Sequence, residues 1–143
     1  TRYIAVTGVQ TCALPICVYY PFLPSHRQHA VAVEQMRGGG GVVTFELKGT
    51  LATSKKFLDA LRLCFIGPSL GGTETLITHP ALVSYYDYSR KERYKLGITD
   101  TLFRLAVGIE DAEDIIADLR RALDACGRRT PRRRSPSSAK RNR

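Results

Sequence analysis

The sequence predicts an α+β fold, with a small antiparallel or mixed sheet and helices packed on one side. Segments of helical and strand periodicity follow one another in the order helix, strand, helix, strand, strand, helix, strand, helix. Few connections between strands are long enough for the crossovers of an all-parallel sheet, which favours antiparallel or mixed pairing. A chain of 143 residues with 43% hydrophobic residues is sufficient for one domain with its own core.

The first helix is predicted to follow residues 18–24, an extended stretch that two prolines break. Ser25 can cap this helix, which runs to about Met36. The glycines at 38–41 end it, because glycine loses much conformational entropy in a regular element. The apolar side of the helix is predicted to comprise Ala30, Val31 and Val33.

The middle of the chain is predicted to form three strands and one helix. Residues 42–47 alternate as a strand that presents three apolar side chains on one face, Val43, Phe45 and Leu47. A helix starts at Thr53, and its apolar residues follow the helical period at Phe57, Leu58, Leu61 and Cys64. Two short strands, at 65–66 and 73–77, flank a loop that contains glycine and proline.

The last third of the chain is predicted to form a short helix, a strand and a long helix. Ser89 and Glu92 have the spacing of a capping box, and Gly97 ends the helix that they open. Residues 101–107 alternate, with Phe103, Leu105 and Val107 on one face and Leu102, Arg104 and Ala106 on the other.

Glu110 and Asp111 place negative charge at the start of the final helix, where the helix dipole favours it. Gly127 ends this helix. Its buried side is predicted to contain Ile115, Ile116, Leu119, Leu123 and Cys126.

The formal net charge of +9 lies almost entirely in residues 128–143, which contain seven arginines, one lysine and no acidic residue. Residues 1–127 hold 14 basic and 13 acidic side chains, so the folded part is nearly neutral. We interpret residues 128–143 as a disordered basic tail. The alternative is a binding module that grips nucleic acid nonspecifically through this tail.

The four cysteines and three histidines do not have the spacing of a metal site, so no metal is predicted. Cys64 and Cys126 fall in apolar periodic segments and are predicted to be small core residues. No apolar run approaches the ~20 residues of a membrane-spanning helix. We therefore expect a cytoplasmic protein with no membrane segment.

Residues 6–16, Val-Thr-Gly-Val-Gln-Thr-Cys-Ala-Leu-Pro-Ile, have no amphipathic period. They resemble the translation of a sequencing-library adapter, so residues 1–17 are set aside as non-native. The upstream part of the natural protein is then expected to be missing from this sequence.

Two motifs carry a family resemblance. One is Ser69-Leu70-Gly71-Gly72-Thr73-Glu74-Thr75-Leu76, followed by His79-Pro80, and the other runs from Arg104 to Asp111 as Arg-Leu-Ala-Val-Gly-Ile-Glu-Asp. Together they resemble the C-terminal domain of the cystathionine γ-synthase/γ-lyase family, fold-type I enzymes of cysteine and methionine metabolism that depend on pyridoxal phosphate (PLP). The resemblance covers residues 18–126, and it implies that residues 18–127 are that domain.

The resemblance implies three substrate-binding residues. Arg104 would bind the α-carboxylate of an amino-acid substrate, because a guanidinium matches the two carboxylate oxygens bidentately. Without the resemblance, an arginine on the solvent face of a strand is the simpler interpretation. Ser69 would lie beside the cofactor and the substrate carboxylate, with the backbone of Leu70 close by. Glu74, His79 and Pro80 are interpreted as structural or as part of an oligomer contact.

The resemblance also implies PLP as cofactor, bound mainly by the missing N-terminal domain. None of the six lysines, including Lys55 and Lys56 after Thr53-Ser54, matches the family's cofactor-lysine motif. No catalytic residue is therefore assigned within the chain, and the chain alone is expected to be inactive. The cofactor withdraws electrons from the substrate's α-carbon, which allows a γ-substituent to leave.

The implied function is a trans-sulfuration enzyme that resembles cystathionine γ-synthase and replaces the γ-substituent of an activated homoserine with cysteine. Pro68 before Ser69 favours this branch, since it resembles the form of plant-type synthases, whereas the lyases and some synthases often carry glutamate at that position. Cystathionine or methionine γ-lyase, β-lyase and homoserine-ester sulfhydrylase are the alternatives. The implied partners are a small amino-acid substrate and further copies of the chain in a homotetramer, with no specific nucleic acid.

Overall fold

The computed structural model describes residues 15–127. The described residues form five strands and four helices: β1 (Pro15–Tyr19), α1 (His29–Gln35), β2 (Val42–Leu47), α2 (Leu51–Ala60), β3 (Phe65–Ile66), β4 (Leu76–Thr78), α3 (Arg90–Lys95), β5 (Leu102–Ala106) and α4 (Ala112–Gly127). The predicted α+β class and the predicted order of elements are confirmed, with β1 added at the start. None of the four described helices has the length and apolar character needed to cross a membrane.

The five strands form one mixed sheet in the order β1-β2-β5-β4-β3. β2 pairs antiparallel with β1 and β5, and β4 pairs antiparallel with β5. β3 and β4 are parallel, with Phe65 opposite Leu76 and Ile66 opposite Ile77. Parallel neighbours cannot be joined by a tight hairpin, so residues 67–75 form a crossover loop between them.

One face of the sheet packs against α2 and α4 and forms the hydrophobic core. Phe45, Phe57 and Phe103 contribute three rings whose centroids lie 5.0–5.9 Å apart. The predicted inward alternation of β2 is confirmed, because the three apolar residues predicted on one face, Val43, Phe45 and Leu47, are all buried in this core. We call this the helix-covered face; its core is completed by Val43, Leu47, Cys64, Ile77, Leu105, Ile115, Leu119, Ala122 and Leu123.

The opposite face carries a polar row across three strands. Thr44, Arg104 and Thr78 lie directly opposite one another in β2, β5 and β4. Because side chains alternate along a strand, this row points away from Phe45, Phe103 and the two packed helices. We call this second surface the Arg104 face.

Residues 15–17, which the sequence interpretation set aside, belong to the edge strand β1. Cys17, Val18 and Tyr19 pair with β2, and the Tyr19 hydroxyl donates to Glu46 at 2.9 Å. Strand pairing uses backbone groups, so a segment without an amphipathic side-chain pattern can still form an edge strand. The interpretations of residues 1–14 and of the tail at 128–143 concern segments outside the described residues and stay predictions.

The first helix differs most from its prediction. It begins at His29 rather than after Ser25, because residues 20–29 form successive turns joined by i→i+3 backbone hydrogen bonds. Of the apolar side chains around it, Ala32 is buried, while Val31 and Val33 are 47% and 55% exposed. The predicted apolar side of this helix is therefore wrong.

Smaller differences concern the starts of two elements. α2 begins at Leu51, and Thr53 lies inside its first turn, where its hydroxyl accepts the Thr50 N–H at 3.2 Å. β4 is shorter than predicted and begins at Leu76. The Thr73 carbonyl and the Thr75 N–H are bonded to the segment after β5, while the Thr75 carbonyl accepts the Phe65 N–H of β3. The capping box of Ser89 and Glu92 is confirmed.

The final helix confirms most of its predicted buried side. Ile115, Leu119 and Leu123 are buried, whereas Ile116 and Cys126 are half-buried. Ala122 and Asp118 occupy buried positions that the apolar pattern did not predict.

Candidate functional site

Arg104 extends from the centre of β5 towards the loop between β3 and β4. Its Nη2 donates to the carbonyl oxygens of Pro68 and Ser69 at 2.5 and 2.8 Å, and to Thr78 Oγ1 at 3.2 Å. The side chain is half-buried rather than extended into bulk water. Strand β5 and the neighbouring loop therefore hold the guanidinium in a defined position.

The guanidinium retains donors that the protein does not use. All three of its hydrogen bonds come from Nη2. Nε is buried and has no partner among the described residues. A buried, unpaired N–H is costly. The guanidinium is therefore suited to an anionic ligand that accepts hydrogen bonds from the donors that the protein leaves unused.

The Gly-rich turn, residues 69–72, forms the exposed rim of the site. Leu70 is 56% exposed, and Gly71 has φ +74°, a conformation that side chains with a Cβ rarely adopt. Just before the turn, the Gly67 N–H donates to the Ile77 carbonyl at 3.0 Å and its carbonyl accepts from the Thr78 hydroxyl at 2.5 Å. The structure thus brings together Arg104, Ser69 and Leu70, the three residues that the sequence singled out.

Glu110 has a different environment from the one predicted. Its carboxylate accepts the Thr75 backbone N–H at 2.6 Å and the Thr75 hydroxyl at 2.7 Å. The start of α4 is instead capped by Asp111, which accepts the Glu113 N–H at 2.8 Å. Burial opposes ionisation, but the bonds from Thr75 hold the pKa of Glu110 below its ordinary value. No local pattern could reveal a contact across 35 residues of sequence.

His79 lies in a buried polar cluster next to the hydrophobic core. Its Nε2 is 3.0 Å from the Asp100 carbonyl oxygen, and its ring packs edge-on against Phe103. Burial lowers the pKa of His79, which favours the neutral ring. The Asp100 carboxylate pairs with Arg93 at 2.8 Å and Arg90 at 3.0 Å. The structural interpretation of His79 fits these contacts.

Asp118 is a further carboxylate that the sequence did not single out. It accepts three consecutive backbone N–H groups, from Arg62, Leu63 and Cys64, at 2.9–3.0 Å, and pairs with Arg121. Burial raises its pKa, but these three hydrogen bonds outweigh that effect and lower the pKa of Asp118 below its ordinary value. The contact fixes the segment that leads into β3 and the Gly-rich turn.

The profile of the family described as Cys/Met metabolism PLP-dependent enzymes matches residues 16–124, most of the chain. The chain belongs to this family. The match starts within β1 and includes the Gly-rich turn, Arg104 and Glu110.

Individual members of the Cys/Met metabolism family are closely similar to the chain. Cystathionine γ-synthase 1, chloroplastic, of Arabidopsis thaliana is 50% identical over 108 residues, which cover 76% of this chain and 19% of that protein. Cystathionine γ-lyase of Dictyostelium discoideum is 49% identical over 137 residues, covering 88% of this chain and 35% of that protein.

A solved structure of a family member has the same fold. Cystathionine γ-synthase from Xanthomonas oryzae pv. oryzae in complex with cystathionine superposes with a TM-score of 0.75 and 40% sequence identity. The similarity covers 85% of this chain and 30% of that one. The chain therefore spans about a fifth to a third of the length of the relatives described here.

The family depends on PLP, but the described residues do not fit a covalent PLP site. The five described lysines are exposed, at the end of β2, on α2 and on α3: Lys48, Lys55, Lys56, Lys91 and Lys95. A lysine that reacts with a carbonyl cofactor needs a desolvated or electrostatically tuned environment, which these positions do not provide. Within residues 15–127, no cluster of three His, Cys, Asp or Glu side chains could hold a metal ion.

Proposed function

We propose that this chain is the substrate-binding part of a PLP-dependent trans-sulfuration enzyme. The reaction we assign to the whole enzyme is γ-replacement, in which the thiol of cysteine displaces the γ-substituent of an activated homoserine. The rest of the enzyme would supply the lysine and the phosphate-binding groups that hold PLP.

The observation that carries this proposal is the position of Arg104. Its guanidinium is held against the Pro68 and Ser69 carbonyls, while Nε remains buried and unpaired. A carboxylate bound to this guanidinium would accept from donors that the protein leaves unused and would neutralise the cation. The role of Arg104 is then to orient the amino-acid substrate, with Ser69 and the Leu70 backbone beside the bound carboxylate.

The choice between synthase and lyase depends on the residue before Ser69. Pro68 carries no side-chain charge at this position, which favours the synthase reaction. Similar identities to γ-synthases and γ-lyases, 50% and 49%, do not distinguish the two activities. γ-Elimination from cystathionine or methionine is therefore the alternative function.

The first experiment is an assay of the complete enzyme that contains this chain. We expect cystathionine to form from cysteine and an activated homoserine. Release of a 2-oxo acid from cystathionine or methionine, without cystathionine synthesis, would assign the enzyme to the lyases instead. The 143-residue chain with added PLP is expected to show no substrate-dependent change in the cofactor's absorbance beyond the change seen with free PLP and the same amino acid.

Substitution of Arg104 tests the proposed carboxylate site. Lysine keeps the positive charge but loses the planar fork, so Arg104→Lys should raise KM about 100-fold with a smaller change in kcat. Arg62→Lys is the matched control, because the Arg62 side chain is exposed and no described contact joins it to the Gly-rich turn. An unchanged KM in Arg104→Lys would contradict the proposed role.

Assembly and location are also part of the proposal. We infer a homotetramer with shared active sites and a cytoplasmic location. Sedimentation of the complete enzyme tests the homotetramer, and a stable monomer with full activity would refute it. Fractionation of the source cells tests the cytoplasmic location.

A further inference from the structure

The Gly-rich turn is attached to β5 and to the segment after it by both of its ends. At its first end, Arg104 donates to the Pro68 and Ser69 carbonyls. At its second end, the Ile109 N–H donates to the Thr73 carbonyl at 2.9 Å. Two glycines give the turn little rigidity of its own, so these attachments determine where it lies relative to Arg104.

Thr75 is the centre of the second attachment. Its side chain and backbone N–H both donate to Glu110, and its hydroxyl oxygen also accepts the Gly108 N–H at 2.9 Å. Thr75 is fully buried, whereas Gly108 and Glu110 are half-buried, so these bonds are partly shielded from water. Bonds to an ionised carboxylate are stronger than bonds between neutral groups, which makes Glu110 the strongest acceptor in this attachment.

The backbones also approach closely at this point. A Cβ added to Gly108 would clash with the Thr73 carbonyl oxygen and lie 2.6 Å from the Glu74 carbonyl carbon. Glycine at 108 therefore lets the segment after β5 lie directly against the end of the Gly-rich turn. The half-buried Glu110, bonded to Thr75, completes a contact that has little freedom to shift.

We propose that Glu110 is a positioning residue for substrate binding, acting through Thr75 to hold the Gly-rich turn against Arg104. The inference rests on the proposed function, since it assumes that the turn and Arg104 form the carboxylate site. Glu110 itself does not touch the substrate. Its effect is to keep Ser69 and Leu70 at the distance from the guanidinium that a bound carboxylate requires.

The test compares Glu110→Gln with Asp111→Asn in the complete enzyme. Glutamine offers one acceptor oxygen where Thr75 presents two donors, so one bond is lost at nearly constant shape. We expect KM for the amino acid to rise about tenfold in Glu110→Gln with little change in kcat, because the lost interaction supports ground-state and transition-state binding alike. Asp111→Asn weakens only the cap of α4 and should leave KM within about twofold of wild type.

A specificity measurement excludes a merely structural role. The ratio of kcat/KM for the natural substrate to kcat/KM for its carboxamide analogue measures how well Arg104 distinguishes a carboxylate from an amide. General destabilisation leaves this ratio unchanged. The ratio should fall in Glu110→Gln and in Thr75→Val, and Thr75→Ser, which keeps the hydroxyl, should retain it. A wild-type ratio and KM in both Glu110→Gln and Thr75→Val would overturn the proposal.

Amide hydrogen exchange on the 143-residue chain provides an independent readout. Exchange of the amides that form this attachment, those of Thr75, Gly108 and Ile109, should accelerate about tenfold or more in Glu110→Gln, whereas exchange of the α4 amides should not change. Faster exchange there, combined with an unchanged KM in Arg104→Lys, would uphold the attachment and refute the proposed function. Wild-type exchange in Glu110→Gln would overturn the positioning role, whatever the result for Arg104.

Discussion

The two faces of the sheet are held by different kinds of interaction. On the helix-covered face, Phe45, Phe57 and Phe103 are at most 3% exposed and pack ring against ring. On the Arg104 face, directional hydrogen bonds fix the arrangement, as between Arg104 and the Pro68 carbonyl. Apolar burial is roughly proportional to area and insensitive to orientation, whereas hydrogen bonds require specific geometry. The first face therefore supplies stability, and the second carries the proposed substrate site.

Truncating the core should produce the largest loss of stability. Phe57→Ala removes a fully buried ring that contacts Phe45 and Phe103, so the free energy of unfolding should fall by about 3–5 kcal/mol. Urea unfolding of the chain, followed by circular dichroism, measures this change. Val33→Ala is the control, because Val33 is 55% exposed and its loss should cost no more than about 0.5 kcal/mol. Equal effects of the two substitutions would mean that the helix-covered face does not carry the stability.

Removing the charge of Asp118 should have an intermediate effect. Asp118→Asn leaves three backbone N–H groups with a weaker acceptor, which should cost about 2–3 kcal/mol of unfolding free energy at neutral pH.

The same residue predicts a pH dependence. Because the pKa of Asp118 is lowered on folding, its contribution is complete above the unfolded-state pKa of about 4 and is lost as pH falls through the folded pKa. Unfolding measured between about pH 7 and pH 2 should therefore show a steeper acid loss in wild type than in Asp118→Asn. Asp59→Asn, at an exposed position on α2, should follow the wild-type curve. Parallel curves for wild type and Asp118→Asn would contradict the assignment.

The smallest effect on stability is expected at Arg104. Arg104→Lys keeps the charge and can retain one bond to the turn, so the unfolding free energy should fall by about 1 kcal/mol or less. The same substitution is expected to impair substrate binding strongly, and this separation between stability and binding defines the Arg104 face. A stability loss as large as that of Phe57→Ala would show that Arg104 is chiefly structural.

The periodicity of apolar residues is sufficient to predict which sides of β2 and α4 face the core. The alternation of Val43, Phe45 and Leu47 predicted the inward face of β2, and the helical spacing of Ile115, Leu119 and Leu123 predicted the core side of α4. Short-range capping chemistry was also readable, as at Ser89 and Glu92. Such patterns depend on residues that are close in the sequence, so the sequence contains them in full.

Contacts across long sequence separations were not predictable in the same way. Glu110 was interpreted as a helix-start charge, whereas its carboxylate binds Thr75, and Asp118 was not singled out although it binds residues 62–64. The approach of Arg104 to Ser69 was expected only from the family motif, since alternation alone equally allows an exposed arginine. Val31 and Val33 failed as core predictions, because an apolar side chain is buried only where another element covers it.

The crossover between β3 and β4 has a consequence for how such enzymes diversify. The strands on either side fix where residues 67–75 begin and end, and residues 68–74 between them are exposed. Mutations at its tip can therefore accumulate with little penalty to folding. If the Arg104 face binds substrate as proposed, such changes would alter which amino acids are accepted while the core and the guanidinium stay in place.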